Sequence, residues 1–251
     1  MNHHVDLVSN IGKSVPIFTQ ENISKQFLEI MKGIARTSFT CVFILDIKNQ
    51  KINFLSENPF LHAGLNSNEI EELGYDYYRK YTRKEDLGVF KAVNTSGFKF
   101  FECLTVEEKK TYTITFDFHI KNCNQCDLLV NHALTPVELD ENGNIVKLVC
   151  TVSYSHNRTA GNICISSALS DTDWKYNILT GKWSGEPKII LKGREMDIIR
   201  LCLQGLNIEE IADRLCVSPN TVKFHRSKLF EKIGVNNISE AISYVKSHKL
   251  I

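Results

Sequence analysis

Two groups of residues in this 251-residue chain have the types and the spacing to do chemistry. The first is His119-x3-Cys123-x2-Cys126-x5-His132, whose two thiolates and two imidazoles are the ligand set of a tetrahedral zinc site. A Cys-x-x-Cys pair is also typical of redox centres. Side chains on a strand alternate between its two faces, so the histidines need not converge on the loop. We therefore prefer an ordinary surface hairpin and keep metal binding and redox sensing as alternatives.

The second group is the stretch SPNTVKFHRSKLFEKIG, from Ser218 to Gly234, with four basic residues against one acidic residue. Ser218 is a good helix N-cap, and Pro219 suits the first helical position because its missing N–H would have no partner there. Glycine is favoured just beyond a helix end. The spacing predicts a helix over Pro219–Ile233.

A helical wheel divides this helix into two sides. Val222, Leu229 and Ile233 form one apolar stripe suited to a core. The opposite side is polar and basic, with Phe224 exposed among polar residues; it comprises Asn220, Phe224, Ser227 and Glu231, flanked by Lys223 and Lys228. Such a side is either a solvated helix surface or a surface that binds nucleic acid.

The neighbouring segment favours nucleic acid. NIEEIADRL predicts a short helix, and LCVS a tight turn before the basic helix. Two helices joined in this way describe a helix-turn-helix, whose second helix enters the major groove of DNA.

Strand and helix patterns elsewhere predict the elements that carry these groups. A helix over Thr19–Ser38, with Ile23, Phe27, Ile30 and Ile34 in one stripe, precedes two strands, TCVFILDI and KINFLSEN. A helical middle follows from Pro59 to about Phe101, and then three strands, TYTITFDFHI, DLLVNHALTPVEL and NIVKLVCTVSYSH. This order predicts an α+β fold for residues 1–155, an antiparallel sheet with helices packed on one side.

Residues 156–190 differ in composition. WKYNILTGKW predicts a small β-hairpin, and SGEPK is typical of a domain boundary, so this segment is interpreted as a linker with a hairpin. Residues 191–251 predict four helices and hold ten lysines and arginines against seven aspartates and glutamates. The basic excess therefore lies in an all-α C-terminal domain.

That domain resembles the DNA-binding domain of LuxR/GerE-type bacterial transcription regulators over LKGREMDIIRLCLQGLNIEEIADRLCVSPNTVKFHRSKLFEKIGV. The resemblance implies double-stranded DNA as partner, a homodimer held in part by the fourth helix, and a contact with RNA polymerase. Carried over by position, it places three residues against bases, namely Lys223, Phe224 and Ser227. Four more are assigned to phosphates, namely Ser218, Thr221, Arg226 and Lys228. The fourth helix is expected to leave Tyr244 and His248 outside its core stripe.

Residues 27–154 resemble a PAS sensor domain. YTRKEDLGVF occupies the place of a short segment typical of that family, and ELDENGNIVKLVCTVS resembles its last two strands. The resemblance implies a domain that senses a small molecule or mediates dimerisation. Five aromatic residues are candidates for lining a pocket or for simple core packing: Phe43, Phe54, Tyr78, Phe116 and Phe118.

The remaining features predict a cytoplasmic regulator without a cofactor. No segment of the sequence has the length and apolarity of a signal peptide or a membrane helix. The eight cysteines follow no disulfide framework and are expected to be reduced. No phosphate-binding loop or nucleophile-base arrangement points to an enzyme.

Overall fold

The structure is a computed structural model that describes residues 20–38, 40–56, 62–191, 193–248 and 250. Within these residues, eight strands form a single antiparallel sheet in the order β2-β1-β5-β4-β3-β6-β7-β8. The strands are β1 (Cys41–Asp46), β2 (Lys51–Leu55), β3 (Tyr112–Lys121), β4 (Asp127–Leu139), β5 (Ile145–Tyr154), β6 (Gly161–Ser167), β7 (Thr172–Asn177) and β8 (Lys182–Pro187).

Helices lie before, between and after the strands. The N-terminal ones are α1 (Gln20–Ser38), α2 (Ser67–Leu73), α3 (Asp76–Tyr81), α4 (Leu87–Ala92), α5 (Phe98–Glu102) and α6 (Val106–Lys109). The C-terminal ones are α7 (Arg194–Leu203), α8 (Ile208–Leu215), α9 (Pro219–Ile233) and α10 (Ile238–Ser247). The predicted fold class, an antiparallel α+β unit followed by a four-helix unit, is confirmed. The predicted helical middle spans α2 to α5, although its start at Pro59 lies outside the described residues.

The sheet has a different cover on each face. Helices α2 to α5 pack on one face over an aromatic core that includes Phe43, Phe116 and Phe118. Helix α1 packs on the other face, where Met31 and Ala35 contact the side chains of β1 and β2. Every residue of β1 is buried because both faces of this strand are covered, which explains its unbroken apolar run.

Helix α1 uses a different face from the predicted one. The stripe of Phe27, Ile30 and Ile34 is exposed, and Met31 with Ala35 makes the contact with the sheet. Thr19 and the side chain of Ile23 lie outside the described residues. Both stripes have helical spacing, so periodicity alone could not tell which one meets the sheet.

Residues 156–190 are more than a linker. The predicted hairpin is present as β7 and β8, with Gly181 at positive φ in the turn. However, β6 pairs with β3 and carries β7 and β8 onto the same sheet, so strands continue to Pro187. The linker interpretation rested on local composition. Strand pairing instead joins segments far apart in the chain, here β3 and β6. The boundaries between domains remain predictions.

All eight cysteines are unpaired thiols. Among the helices that the structure describes, none combines the length and the apolar composition needed to cross a membrane.

Candidate nucleic-acid interface

Local capping interactions define the two helices of the helix-turn-helix. Asn207 and Glu210 form a reciprocal capping box at the start of α8, and Cys216 ends that helix in the left-handed conformation. Ser218 Oγ then accepts a hydrogen bond from the Thr221 N–H at 3.1 Å. The cap, the proline at the first helical position and Gly234 at the end confirm the predicted bounds of α9.

The inner side of α9 holds the helix in place. Val222 packs in one buried cluster with Ile198, Ile211 and Ala212, which joins α9 to α7 and α8. Leu229 and Ile233 belong to a second cluster shared with α7 and α10. The predicted core stripe is confirmed, and it determines which side of α9 faces outward.

The outward side presents Lys223, Phe224 and Ser227, which are all exposed. Phe224 leaves 58% of its surface open to solvent, and its ring contacts the neighbouring His225 at a centroid distance of 5.5 Å. Because apolar burial is favourable, an aromatic ring in this position suits a surface that meets a partner.

The four residues assigned to phosphates have different environments. The Ser218 hydroxyl is used in the N-cap, where it also lies 2.9 Å from the Thr221 hydroxyl. Arg226 is partly buried, with its guanidinium 5.6 Å from the centre of the Phe230 ring. Lys228 is exposed and hydrogen-bonds Glu231 at 2.8 Å, which raises the pKa of its ammonium group. A phosphate would have to compete with Glu231 for Lys228.

Another basic residue of α9 has an intramolecular role. The Lys232 ammonium group donates hydrogen bonds to Glu195 at 2.6 Å and to the Ile190 carbonyl at 2.9 Å. These bonds tie the end of α9 to the start of α7. Lys232 therefore contributes less to the outward positive charge than a count of basic residues suggests.

The fourth helix of this unit, α10, contacts the loop between β5 and β6. The Ser243 hydroxyl donates to the His156 carbonyl at 2.7 Å, and Arg158 lies 4.0 Å from Glu240. The Tyr244 and His248 rings stack at 3.9 Å, and both are partly buried rather than outside as expected. Tyr244 packs against the buried cluster of its own unit, and His248 lines a cavity together with residues of β6 and β7.

The four residues of the zinc and redox hypotheses occupy separate environments. His119 Nδ1 hydrogen-bonds Asp86 at 2.7 Å, and Cys123 and Cys126 are exposed free thiols in the β3–β4 turn. His132 is buried in the aromatic core. Within the part of the chain that the structure describes, no group of three or more metal-ligating side chains comes together.

His132 is a site residue of a different kind. Its ring lies 5.0 Å from that of Phe116 and stacks on that of Tyr78 at 5.7 Å. Neither ring nitrogen has a hydrogen-bond partner among the described residues, and the Tyr77 and Tyr78 hydroxyls also lack one. Burial lowers the pKa of His132 to about 3, so the imidazole is neutral. Four of the five aromatic residues considered for a pocket surround this core, whereas Phe54 lies beneath α1.

Comparison with known proteins identifies part of the chain. Residues 190–245 match the model of the bacterial regulatory proteins of the luxR family, GerE. Fimbriae Z protein of Escherichia coli K12 is 42% identical over 62 residues, which are 25% of this chain and 30% of that protein. Oxygen regulatory protein NreC of Staphylococcus aureus strain bovine RF122 is 34% identical over 68 residues, 27% of this chain and 31% of NreC. The chain thus covers less than a third of the length of these relatives.

Solved structures resemble the chain more loosely. The response regulator ChrA of a heme-sensing two-component system is 35% identical over 26% of this chain and 33% of its own, with a TM-score of 0.25. VqmA of Vibrio cholerae is 16% identical, with 93% of this chain and 89% of its own covered and a TM-score of 0.30. The family match and the helix-turn-helix geometry coincide on the same segment, and residues 190–245 are a helix-turn-helix domain of the luxR family of bacterial regulatory proteins.

Proposed function

We propose that this protein is a sequence-specific DNA-binding transcription regulator. The observation that carries the proposal is the outward side of α9, where Lys223, Phe224 and Ser227 are exposed on a helix held by its opposite side. A helix of this kind reaches base edges in the major groove with short polar, basic and apolar groups.

The residues divide by the contact that each would make. Lys223, Phe224 and Ser227 would meet bases, with the phenyl ring suited to a thymine methyl group. The other four residues, Ser218, Thr221, Arg226 and Lys228, would meet phosphates, although each already has an intramolecular contact. Contact with RNA polymerase and a cytoplasmic location belong to the same proposal.

We infer further that the active form is a homodimer. A single helix-turn-helix makes too few contacts for typical specific affinity, and two copies related by a two-fold axis would read an imperfect palindrome. The exposed apolar stripe of α1, with Ile30 60% exposed, supports an interface on the N-terminal unit. The contact of α10 with the β5–β6 loop of the same chain argues against a fourth-helix interface while that packing persists.

Selection from random double-stranded DNA with the full chain tests both proposals. We expect one enriched motif with two related half-sites about one helical turn apart. A gel shift on the full motif and on a single half-site then measures the contribution of dimerisation. Recovery of unrelated sequences, bound no more tightly than random DNA, would contradict DNA recognition. Equal affinity for the full site and the half-site would contradict the dimer alone.

We also propose that the N-terminal unit is a PAS-like sensor whose core takes a small polar molecule. The buried His132 ring and the Tyr77 and Tyr78 hydroxyls support this, because buried polar groups normally have hydrogen-bond partners. A thermal-shift screen of metabolites on the wild-type chain and on His132→Phe tests the proposal. A ligand of this site raises the melting temperature of the wild-type chain only. Stabilisation of neither chain would favour a purely dimerising role.

A further inference from the structure

A cavity of about 590 Å³ lies at the junction between the sheet and the end of α10. The residues used below are Asn131, Asn157, Asn162, Asp173, Lys175 and His248, and we call this space the junction cavity. It lies on the opposite face of the sheet from the aromatic core, because Asn131 alternates with the core residues Val130 and His132 along β4. It is therefore distinct from the core site proposed above.

A buried carboxylate organises one wall. Asp117, which is fully buried, accepts hydrogen bonds from the side-chain amides of Asn131 at 2.9 Å, Asn157 at 2.6 Å and Asn162 at 2.8 Å. A carboxylate accepts hydrogen bonds only, so each amide must turn its NH₂ group toward Asp117. This arrangement leaves the three amide oxygens as acceptors without a hydrogen bond from any described residue. The wall is thus rich in acceptors.

Asp173 adds an acceptor that carries charge. Its Oδ1 atom is buried and has no hydrogen-bond partner among the described residues. The Lys188 ammonium group lies 3.9 Å away, which is within ion-pair range but too long for a hydrogen bond. The Asp173 side chain keeps 21% of its surface exposed and lines the cavity, so a donor in the cavity would reach this carboxylate through its other oxygen, Oδ2.

The cationic groups around the cavity are already engaged. Lys175 pairs with Glu186 at 2.6 Å, and the Lys188 ammonium group also donates to the Ser167 carbonyl. The nearby Arg158 lies 4.0 Å from Glu240 on α10. The bond to a neutral carbonyl leaves the positive charge of Lys188 in place, so Lys188 offsets one of the two carboxylates, Asp117 and Asp173, and the wall keeps one negative charge in excess.

We propose that the junction cavity binds a small ammonium compound whose N–H and O–H groups donate to Asp173 and to the amide oxygens of the Asp117 cluster. The volume accommodates a molecule the size of a monosaccharide. Because His248 of α10 also lines the cavity, the ligand would contact both units of the chain at once. The site stands independently of the proposed DNA binding.

Isothermal titration calorimetry on the full chain tests this proposal with three amines, namely ethanolamine, putrescine and glucosamine. Glucose, which has a hydroxyl group in place of the amine of glucosamine, serves as the uncharged control. We expect at least one amine to saturate a single site per chain and glucose to bind much more weakly. Asp173→Asn keeps the shape of the side chain and should weaken amine binding about tenfold or more, as for other charge-assisted hydrogen bonds.

Asp171→Asn is the matched control, because Asp171 is an exposed carboxylate two residues away that does not line the cavity. It should leave the amine affinity unchanged. Three results would overturn the proposal: no saturable binding of any of the three amines, equal weakening by both substitutions, or equal binding of glucose and glucosamine. Thermal denaturation of each variant verifies that the fold is intact.

Discussion

The core around His132 and the outward side of α9 break the usual rules of burial in opposite ways. His132 is a buried polar ring with no hydrogen-bond partner among the described residues, whereas Phe224 is an apolar ring that remains 58% exposed. Each arrangement lowers the free energy of unfolding of the isolated chain, because it exposes an apolar group or buries an unpaired polar group. The proposed partners, a small polar molecule in the core and DNA at α9, would each reduce that loss of stability.

The comparison predicts the largest difference in stability. Phe116→Ala removes a ring that is 1% exposed and packed against His132, and it should lower the free energy of unfolding by about 3–5 kcal/mol. Phe224→Ala should change it by no more than about 0.5 kcal/mol, because the ring has little packing to lose. Urea denaturation followed by circular dichroism measures both values. A large loss for Phe224→Ala would mean that its ring belongs to the core.

The buried histidine predicts a pH dependence of stability. Burial lowers the pKa of His132 from 6.5 to about 3, so between these values the unfolded chain binds a proton that the folded chain excludes. Stability from this group is complete above pH 6.5 and falls as the pH decreases, by at most about 1.4 kcal/mol for each pH unit.

His132→Phe provides the comparison for that measurement. Phenylalanine fills a similar volume in the aromatic core and cannot bind a proton, so this variant should have a shallower fall in stability between pH 6.5 and 5. Urea denaturation of both chains across this range gives the slopes. Identical slopes would show that the imidazole does not stay neutral in the folded core.

The smallest predicted effect is on DNA affinity and concerns the Lys228–Glu231 ion pair on the outward side of α9. Glu231→Gln frees Lys228 from its 2.8 Å ion pair and should tighten DNA binding about twofold at low salt. Glu209→Gln is the control, since it removes an exposed carboxylate from the first turn of α8 rather than from α9. Fluorescence anisotropy with the selected DNA measures both. An equal gain in the two variants would indicate a general charge effect rather than a phosphate contact of Lys228.

Features set by neighbouring residues could be predicted from the sequence, whereas features set by distant residues could not. The bounds of α9 follow from Ser218, Pro219 and Gly234, whose preferences act within one turn of a helix. Strand β6 was missed because its pairing with β3 is set by residues about fifty positions away. The face of α1 that meets the sheet could not be read from the predicted stripe, because Met31 and Ala35 have the same helical spacing as Phe27, Ile30 and Ile34.

The candidate sites follow the same division. Lys223, Phe224 and Ser227 could be placed outward from the helical wheel, since α9 packs by a single stripe. The burial of His132 and the Asp117 cluster could not be foreseen, because both depend on which strands become neighbours. The contact of Ser243 with the carbonyl of His156 joins residues 87 positions apart, which no local pattern encodes.

The most direct test of the central claim is the DNA affinity of Lys223→Ala beside that of Lys246→Ala. Both variants remove one exposed lysine, from the outward side of α9 and from α10 respectively. On the selected DNA, Lys223→Ala should lose about 1–3 kcal/mol of binding free energy, which is about fivefold to 150-fold in affinity, while Lys246→Ala loses far less. Equal affinities for the two variants, with both chains folded, would contradict the assignment of α9 as the helix that reads DNA.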